Sequence, residues 1–236
     1  GLENFEKQTR IGIGGFGEVF KLIEKNTGKI YAAKISLIDI SEDQKDEKSL
    51  IIELRHEVSI LAQLNHPAIV KFIGYSPTNF KNEPKPVIIT EYVSNGSLRD
   101  IIQLEQKSQQ PELWNDTKKL INIYGIASAM SYLHSHNIIH RDLKTGNILE
   151  DDYLFPKIAD FGLSKINHQN EDSMSIQSTK DLKGTPKYVA PESWESYEYT
   201  KEGDVYSFSF IVYQILTHEE PFKNFNMQML YSQVVK

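Results

Sequence analysis

Gly12-Ile13-Gly14-Gly15-Phe16-Gly17 spells G-x-G-x-x-G, a spacing whose glycines let backbone N–H groups approach phosphate oxygens without side chains in the way. In a dinucleotide-binding fold this run follows a strand and opens a helix. Here Glu18-Val19-Phe20-Lys21-Leu22-Ile23 continues with the composition of a strand, so the expected unit is strand, loop, strand: a flap over a nucleotide. Taken alone, the motif would fit an ordinary glycine-rich hairpin equally well. Lys34, in Tyr31-Ala32-Ala33-Lys34-Ile35, lies among apolar residues, where a bare ammonium is costly and needs an anion. Glu57 can supply one. Three residues after Leu54 and four before Leu61, its carboxylate falls on the apolar face of a helix. A stripe-edge Glu and a snorkelling Lys would explain either residue singly, but pairing removes both anomalies.

The elements that must carry these groups can be read from composition and period. Arg10 to Ile23, Ile30 to Leu37, Ile69 to Tyr75 and Pro86 to Tyr92 are rich in Val, Ile, Phe and Tyr and read as strands. One helix interrupts them over Asp46 to Asn65, where Ile51, Leu54, Val58, Leu61 and Leu64 step by three or four until Pro67 stops the run. Beyond Ser97 the pattern turns helical. Thr117 to Ser135 puts Leu120, Ile123, Ala127, Met130 and Leu133 on one stripe, and Ile138-Ile139, Ile148-Leu149 and Lys157-Ala159 read as small strands or loop anchors. A β-rich first half followed by an α-rich second half is an α+β pattern. Pro77 to Pro86 and Ser94-Asn95-Gly96-Ser97 are turn-rich seams. Ser41 to Glu47 and His168 to Lys180 hold few apolar residues and read as surface loops.

The most specific run is His140-Arg141-Asp142-Leu143-Lys144-Thr145-Gly146-Asn147, followed by Asp160-Phe161-Gly162. Singly, Asp142 and Asp160 would read as capping or turn residues. In order along the chain, however, stand the glycine loop, Ala-Ala-Lys, the helix Glu, H-R-D-L-K-x-x-N, D-F-G and Ala190-Pro191-Glu192. The sequence thereby resembles the eukaryotic protein kinases from about Leu2 to its last residues. The resemblance implies a bilobal kinase-like fold filling residues 1–236: a β-rich N-lobe with one helix over about 1–92, a hinge over about 91–96, and a mostly helical C-lobe over about 97–236. Catalytic domains of this family normally continue through more helices beyond the segment resembling Met227 to Val235. The C-lobe is therefore expected to be incomplete, with Glu192 lacking the Arg that usually pairs with it.

Phosphoryl transfer requires that the triphosphate charge be neutralised and the attacking hydroxyl be held in line. By resemblance, the backbone of Gly12, Ile13, Gly14, Gly15, Phe16 and Gly17 covers ATP, and Lys34, paired with Glu57, holds its α- and β-phosphates. Val19, Ala32 and Leu149 sandwich the adenine, Glu91 to Val93 offer backbone groups to its edge, and Thr90 is the gatekeeper. Asp142 is the base that accepts or orients the substrate proton, and Lys144 neutralises charge on the transferred group. Asn147 and Asp160 are oxygen donors suited to Mg2+, with Mn2+ as the alternative. Leu61, Phe72, His140 and Phe161 resemble the stacked spine of active kinases, anchored by Asp204, with plain core packing as the simpler reading.

Lys144-Thr145 and Gly184-Thr185-Pro186 resemble serine/threonine kinases, whereas Asp204-Val205-Tyr206-Ser207-Phe208-Ser209 and Glu91 to Leu98 look like tyrosine kinases. That mixture is found in the tyrosine-kinase-like group, which implies transfer to Ser/Thr of protein substrates in signal transduction. Arg141 would clamp a phosphate on the activation segment. The acceptors there are Ser164, Ser173, Ser175, Ser178 and Thr179, with spacing to Ala-Pro-Glu favouring Ser178 and Thr179, modified by an upstream kinase or by the chain itself. The competing reading is a non-catalytic or impaired nucleotide- or protein-binding module.

Composition excludes other classes. The 26 Lys and Arg against 32 Asp and Glu give a net charge of -6, so a nucleic-acid partner is not expected. No window is long and apolar enough for membrane insertion. Val205 to Leu216, interrupted by Ser207, Ser209 and Gln214, reads as a buried helix. The absence of Cys removes disulfides, thiolate metal sites and a cysteine nucleophile, and fits a cytoplasmic setting. Gly1 in place of Met hints at a processed or excised segment.

Overall fold

The computed structural model describes residues 1–14, 17–37, 45–166 and 184–235, with backbone alone over 45–53. The chain divides into two compact units, residues 1–65 with 70–93, and residues 66–69 with 94–236.

The first unit is an antiparallel sheet of β1 (Phe5–Gly14), β2 (Gly17–Glu24), β3 (Ile30–Ser36), β4 (Phe72–Ser76) and β5 (Val87–Glu91), in the order β1-β2-β3-β5-β4, with α1 (Lys45–Gln63) inserted after β3. Alternation makes its core. Tyr31, Ala33 and Ile35 of β3 point one way and join Leu22, Val87 and Ile89 in a buried cluster. The residues between them, Ala32 and Lys34, therefore belong to the opposite face. Gly17 lets β2 lie tightly on β3: a Cβ there would be 2.5 Å from the Ile35 carbonyl oxygen.

The second unit contains α2 (Leu98–Gln106), α3 (Asp116–Ser135), β6 (Ile138–Ile139), β7 (Ile148–Glu150), β8 (Pro156–Ile158), β9 (Lys165–Ile166), α4 (Pro191–Ser196), α5 (Lys201–Thr217) and α6 (Met227–Val234). Its helix starts are chemically marked. Ser97 and Asp100 form a capping box on α2, and Asn115, Thr200 and Asn226 cap α3, α5 and α6. β6 pairs with β9 and β7 with β8. Residues 66–69 join this unit although the sequence pattern groups them with the first: Ile158 donates to the Ala68 carbonyl, Lys157 to that of Pro67, and the His66 ring packs on Tyr132.

Two helical faces differ from the periodic reading. On α3 the buried stripe is Asn122, Ile126, Ala129, Met130 and Leu133, while Leu120 is 64% exposed. A polar residue occupies a core position there, which rotates the apparent apolar stripe. On α5 the buried positions are Asp204, Ser207, Ile211, Gln214 and Ile215, so two of the polar interruptions, Ser207 and Gln214, face inward, while Ser209, Val205 and Leu216 are exposed. Among the described residues, no helix is long and apolar enough to cross a membrane.

Candidate active site

The first unit gathers its site residues by strand register. Gly12 pairs with Val19, Val19 with Lys34, Ala32 with Thr90, and Thr90 with Phe72. Directly opposed residues share a face, so Gly12, Val19, Ala32, Lys34 and Thr90 form one continuous surface across the sheet, opposite the Tyr31–Ala33–Ile35 core. Gly15 and Phe16 lie outside the described residues. Lys34 Nζ donates to both Glu57 oxygens, at 2.8 and 3.1 Å, and Glu57 is buried on α1. The pairing inferred from two separate anomalies is therefore formed, in the bidentate geometry that satisfies a buried carboxylate. The Glu91 N–H is committed to the Lys71 carbonyl, so anything Glu91 offers a ligand edge must come from other atoms. Val93 closes the unit just beyond β5.

In the second unit the catalytic candidates converge on one carboxylate. Asp142 Oδ1 accepts from the Thr185 N–H at 2.9 Å and the Thr185 hydroxyl at 2.7 Å. Asp142 Oδ2 accepts from Lys144 Nζ at 2.7 Å and Asn147 Nδ2 at 3.0 Å. Lys144 also donates to Thr185 Oγ1, and Asn147 to the Asp142 carbonyl. Four donors from three residues thus fix the position of this carboxylate. Thr185 is the participant that motif reading used only as a family marker. Its signal was Gly184, whose φ is +91° and whose Cβ would lie 2.6 Å from the Arg141 carbonyl oxygen; only glycine lets this segment come so close.

Behind Asp142 the backbone is held in place by Asp204. Its Oδ2 accepts from the His140 N–H at 2.8 Å and from His134 Nε2 at 2.9 Å, and its Oδ1 accepts from the Arg141 N–H at 3.0 Å. These bonds retain Arg141 at φ +69°, a left-handed conformation uncommon for Arg. His140 accepts from the Asp142 N–H on Nδ1 and meets the Ala159 carbonyl with Nε2; a proton on Nε2 satisfies both contacts. Its ring packs edge-on against Phe161.

Ala159 N–H donates to the Asn147 carbonyl at 2.9 Å, which brings the residue preceding Asp160 alongside Asn147. With Nδ2 spent on Asp142, Asn147 presents Oδ1 as the atom for a cation. Among the described residues, no three His, Cys, Asp or Glu side chains cluster as a metal site. An amide oxygen of Asn147 and a carboxylate of Asp160 are hard oxygen donors, which suit a hard cation that completes its shell with phosphates and water. Arg141 stacks its guanidinium 5.3 Å from the Tyr199 ring. Ser164 is buried and donates to the His140 carbonyl, which removes it from the accessible acceptors. Ser173, Ser175, Ser178 and Thr179 lie outside the described residues. Leu149 sits in β7, beside the Ser97 backbone.

Sequence reasoning also missed a buried polar set behind the catalytic loop. Gln214 donates to the Tyr188 hydroxyl at 2.7 Å, and Thr145 donates to Gln214 at 3.3 Å. The available signal was a polar residue at a stripe position of α5.

Comparison with known proteins agrees with this geometry. A protein kinase domain model matches residues 5–236. The chain is 34% identical over 221 residues to a probable L-type lectin-domain containing receptor kinase S.5 of Arabidopsis thaliana, covering 92% of this chain and 31% of that protein. It is 38% identical over 227 residues to the probable serine/threonine-protein kinase drkD of Dictyostelium discoideum, covering 94% and 16%. With the calmodulin-binding receptor-like cytoplasmic kinase 2 of Arabidopsis thaliana it shares 32% identity over 222 residues, covering 93% and 51%. The chain thus spans about half or less of these relatives' length. Strand register, the bonding around Asp142 and matched length agree, and the chain belongs to the protein kinase domain family.

Proposed function

We propose that this domain transfers the γ-phosphoryl group of ATP to Ser or Thr hydroxyls of protein substrates, within the tyrosine-kinase-like group. The observation that carries this reading is the Asp142 carboxylate, held by Thr185, Lys144 and Asn147. Asp142 accepts the proton of the attacking hydroxyl as the oxygen–phosphorus bond forms. Lys144, already beside that carboxylate, balances negative charge on the transferred group. Lys34, oriented by Glu57, takes the α- and β-phosphates, with the glycine-loop amides over them. Val19, Ala32 and Leu149 are the apolar residues assigned to the adenine, with Thr90 as gatekeeper. A bound Mg2+ or Mn2+ on Asn147 and Asp160 would neutralise phosphate charge. Arg141 receives a phosphate placed on Ser178 or Thr179, and a cytoplasmic setting supplies the ATP.

Mapping the phosphorylated residues of a generic protein substrate, after incubation with this chain, magnesium and ATP, tests the reading. Phosphate on Ser and Thr is expected. Phosphate on Tyr alone would overturn the residue class, and no phosphate with retained ATP binding would make the domain a binding module.

A further inference from the structure

Strand β7 ends in a residue that phosphoryl transfer does not use. Glu150 is fully buried, and neither carboxylate oxygen meets a hydrogen-bond donor. The hydrogen-bonding side chain beside it is Asn122 of α3, equally buried, whose Oδ1 likewise meets no donor. The orientation of this amide is fixed, because Nδ2 donates to the carbonyls of Lys118 and Leu154, both at 3.1 Å. Turning it over would aim its oxygen at two carbonyls. Nδ2 is thus committed elsewhere, and three neighbouring acceptor oxygens, Asn122 Oδ1 and the two of Glu150, stand buried without a donor, which is unfavourable unless a proton joins them.

We infer that Glu150 carries a structural proton, donated as a carboxylic acid O–H to Asn122 Oδ1, and that losing it loosens the β7–β8 hairpin from α3. One proton then satisfies Asn122 Oδ1 and removes the buried charge from Glu150. The surrounding charges leave it in place. Of the lysines on α3, Lys119 is paired with Glu105, and Lys118, the one that favours ionisation, sits 4.1 Å from the Phe155 ring centroid, while Asp151 opposes ionisation from the next position. On α2, Arg99 lies against Gly146 and Asp100 is bonded to Ser97, while Lys157 on β8 donates to the Pro67 carbonyl. Burial, foremost, pushes the Glu150 carboxyl from 4.5 up to about 8. The folded chain therefore keeps a proton that the unfolded chain releases above 4.5, and stability falls as pH climbs from there to about 8, levelling beyond it. β7 follows directly on Asn147, and the residue after β8 bonds the Asn147 carbonyl, so loosening this hairpin reaches the catalytic loop.

Thermal unfolding of the parent and Glu150→Gln across a pH series tests the inference. The amide of Gln can donate to Asn122 Oδ1 at every pH. The expected result is a gap in midpoint, in favour of the variant, that opens by several degrees from about pH 5 to about pH 8 and is constant above. Parallel profiles would overturn it. Should the variant fail to fold, the infrared spectrum of the parent decides: a protonated-carboxyl band persisting at neutral pH and fading above about pH 8 is expected, and its loss with the ordinary carboxylates contradicts the assignment.

Discussion

The two units place charged groups by different means. In the first, Lys34 is set by strand period and pairing register and is bonded to Glu57 on α1. In the second, Asp142 lies in no regular element and is fixed by Thr185, Lys144 and Asn147, with Asp204 clamping the backbone behind it. A sheet positions a side chain through its backbone ladder, before any side-chain contact is made. A loop has no ladder and must be built from side-chain bonds, each of which is a point of failure. The first unit should therefore tolerate loss of its ion pair while the catalytic loop fails piecemeal.

Asp204 is the residue whose loss should cost the molecule most. Asp204→Ala leaves the His140 and Arg141 amides buried without their acceptor and should cost about 3–5 kcal/mol of stability; unfolding in denaturant measures it, and a loss under about 1 kcal/mol would mean the loop holds itself. Lys34→Met should lower phosphoryl transfer by about 10²–10³-fold, with the sheet still folded by circular dichroism. Collapse of the first unit in that variant would deny the asymmetry drawn above. Thr185→Val removes the hydroxyl that links Lys144 to Asp142 but keeps the backbone donor, so transfer should fall about tenfold, the worth of one hydrogen bond. The smallest effect is expected from His134→Gln, whose amide can still donate to Asp204, at under about 1 kcal/mol.

The same asymmetry explains what the sequence made legible. Strand period alone places Ala32 and Lys34 on the face opposite Tyr31, Ala33 and Ile35, and helical spacing puts Glu57 where Lys34 can reach it. The motif string identifies Asp142, Lys144 and Asn147, and their convergence follows from proximity in the chain. Thr185 was not legible as a partner of Asp142, because forty-three residues separate them and only the Gly184 conformation joins the segments. The α3 face was misjudged at Leu120 because periodic reading assigns core positions to apolar residues, and Asn122 takes one by bonding two carbonyls. Glu150 is the same case in a strand: position, rather than residue type, determines its burial.

The most direct test of the catalytic role of Asp142 is single-turnover phosphoryl transfer by Asp142→Asn beside the parent, with ATP binding followed separately by thermal shift. Asn preserves the size of the side chain but cannot take a proton. The account predicts a transfer rate reduced by about 10²–10⁴-fold with the nucleotide-induced shift unchanged. Transfer within about tenfold of the parent, at equal nucleotide binding, would contradict the assignment of Asp142 as the base.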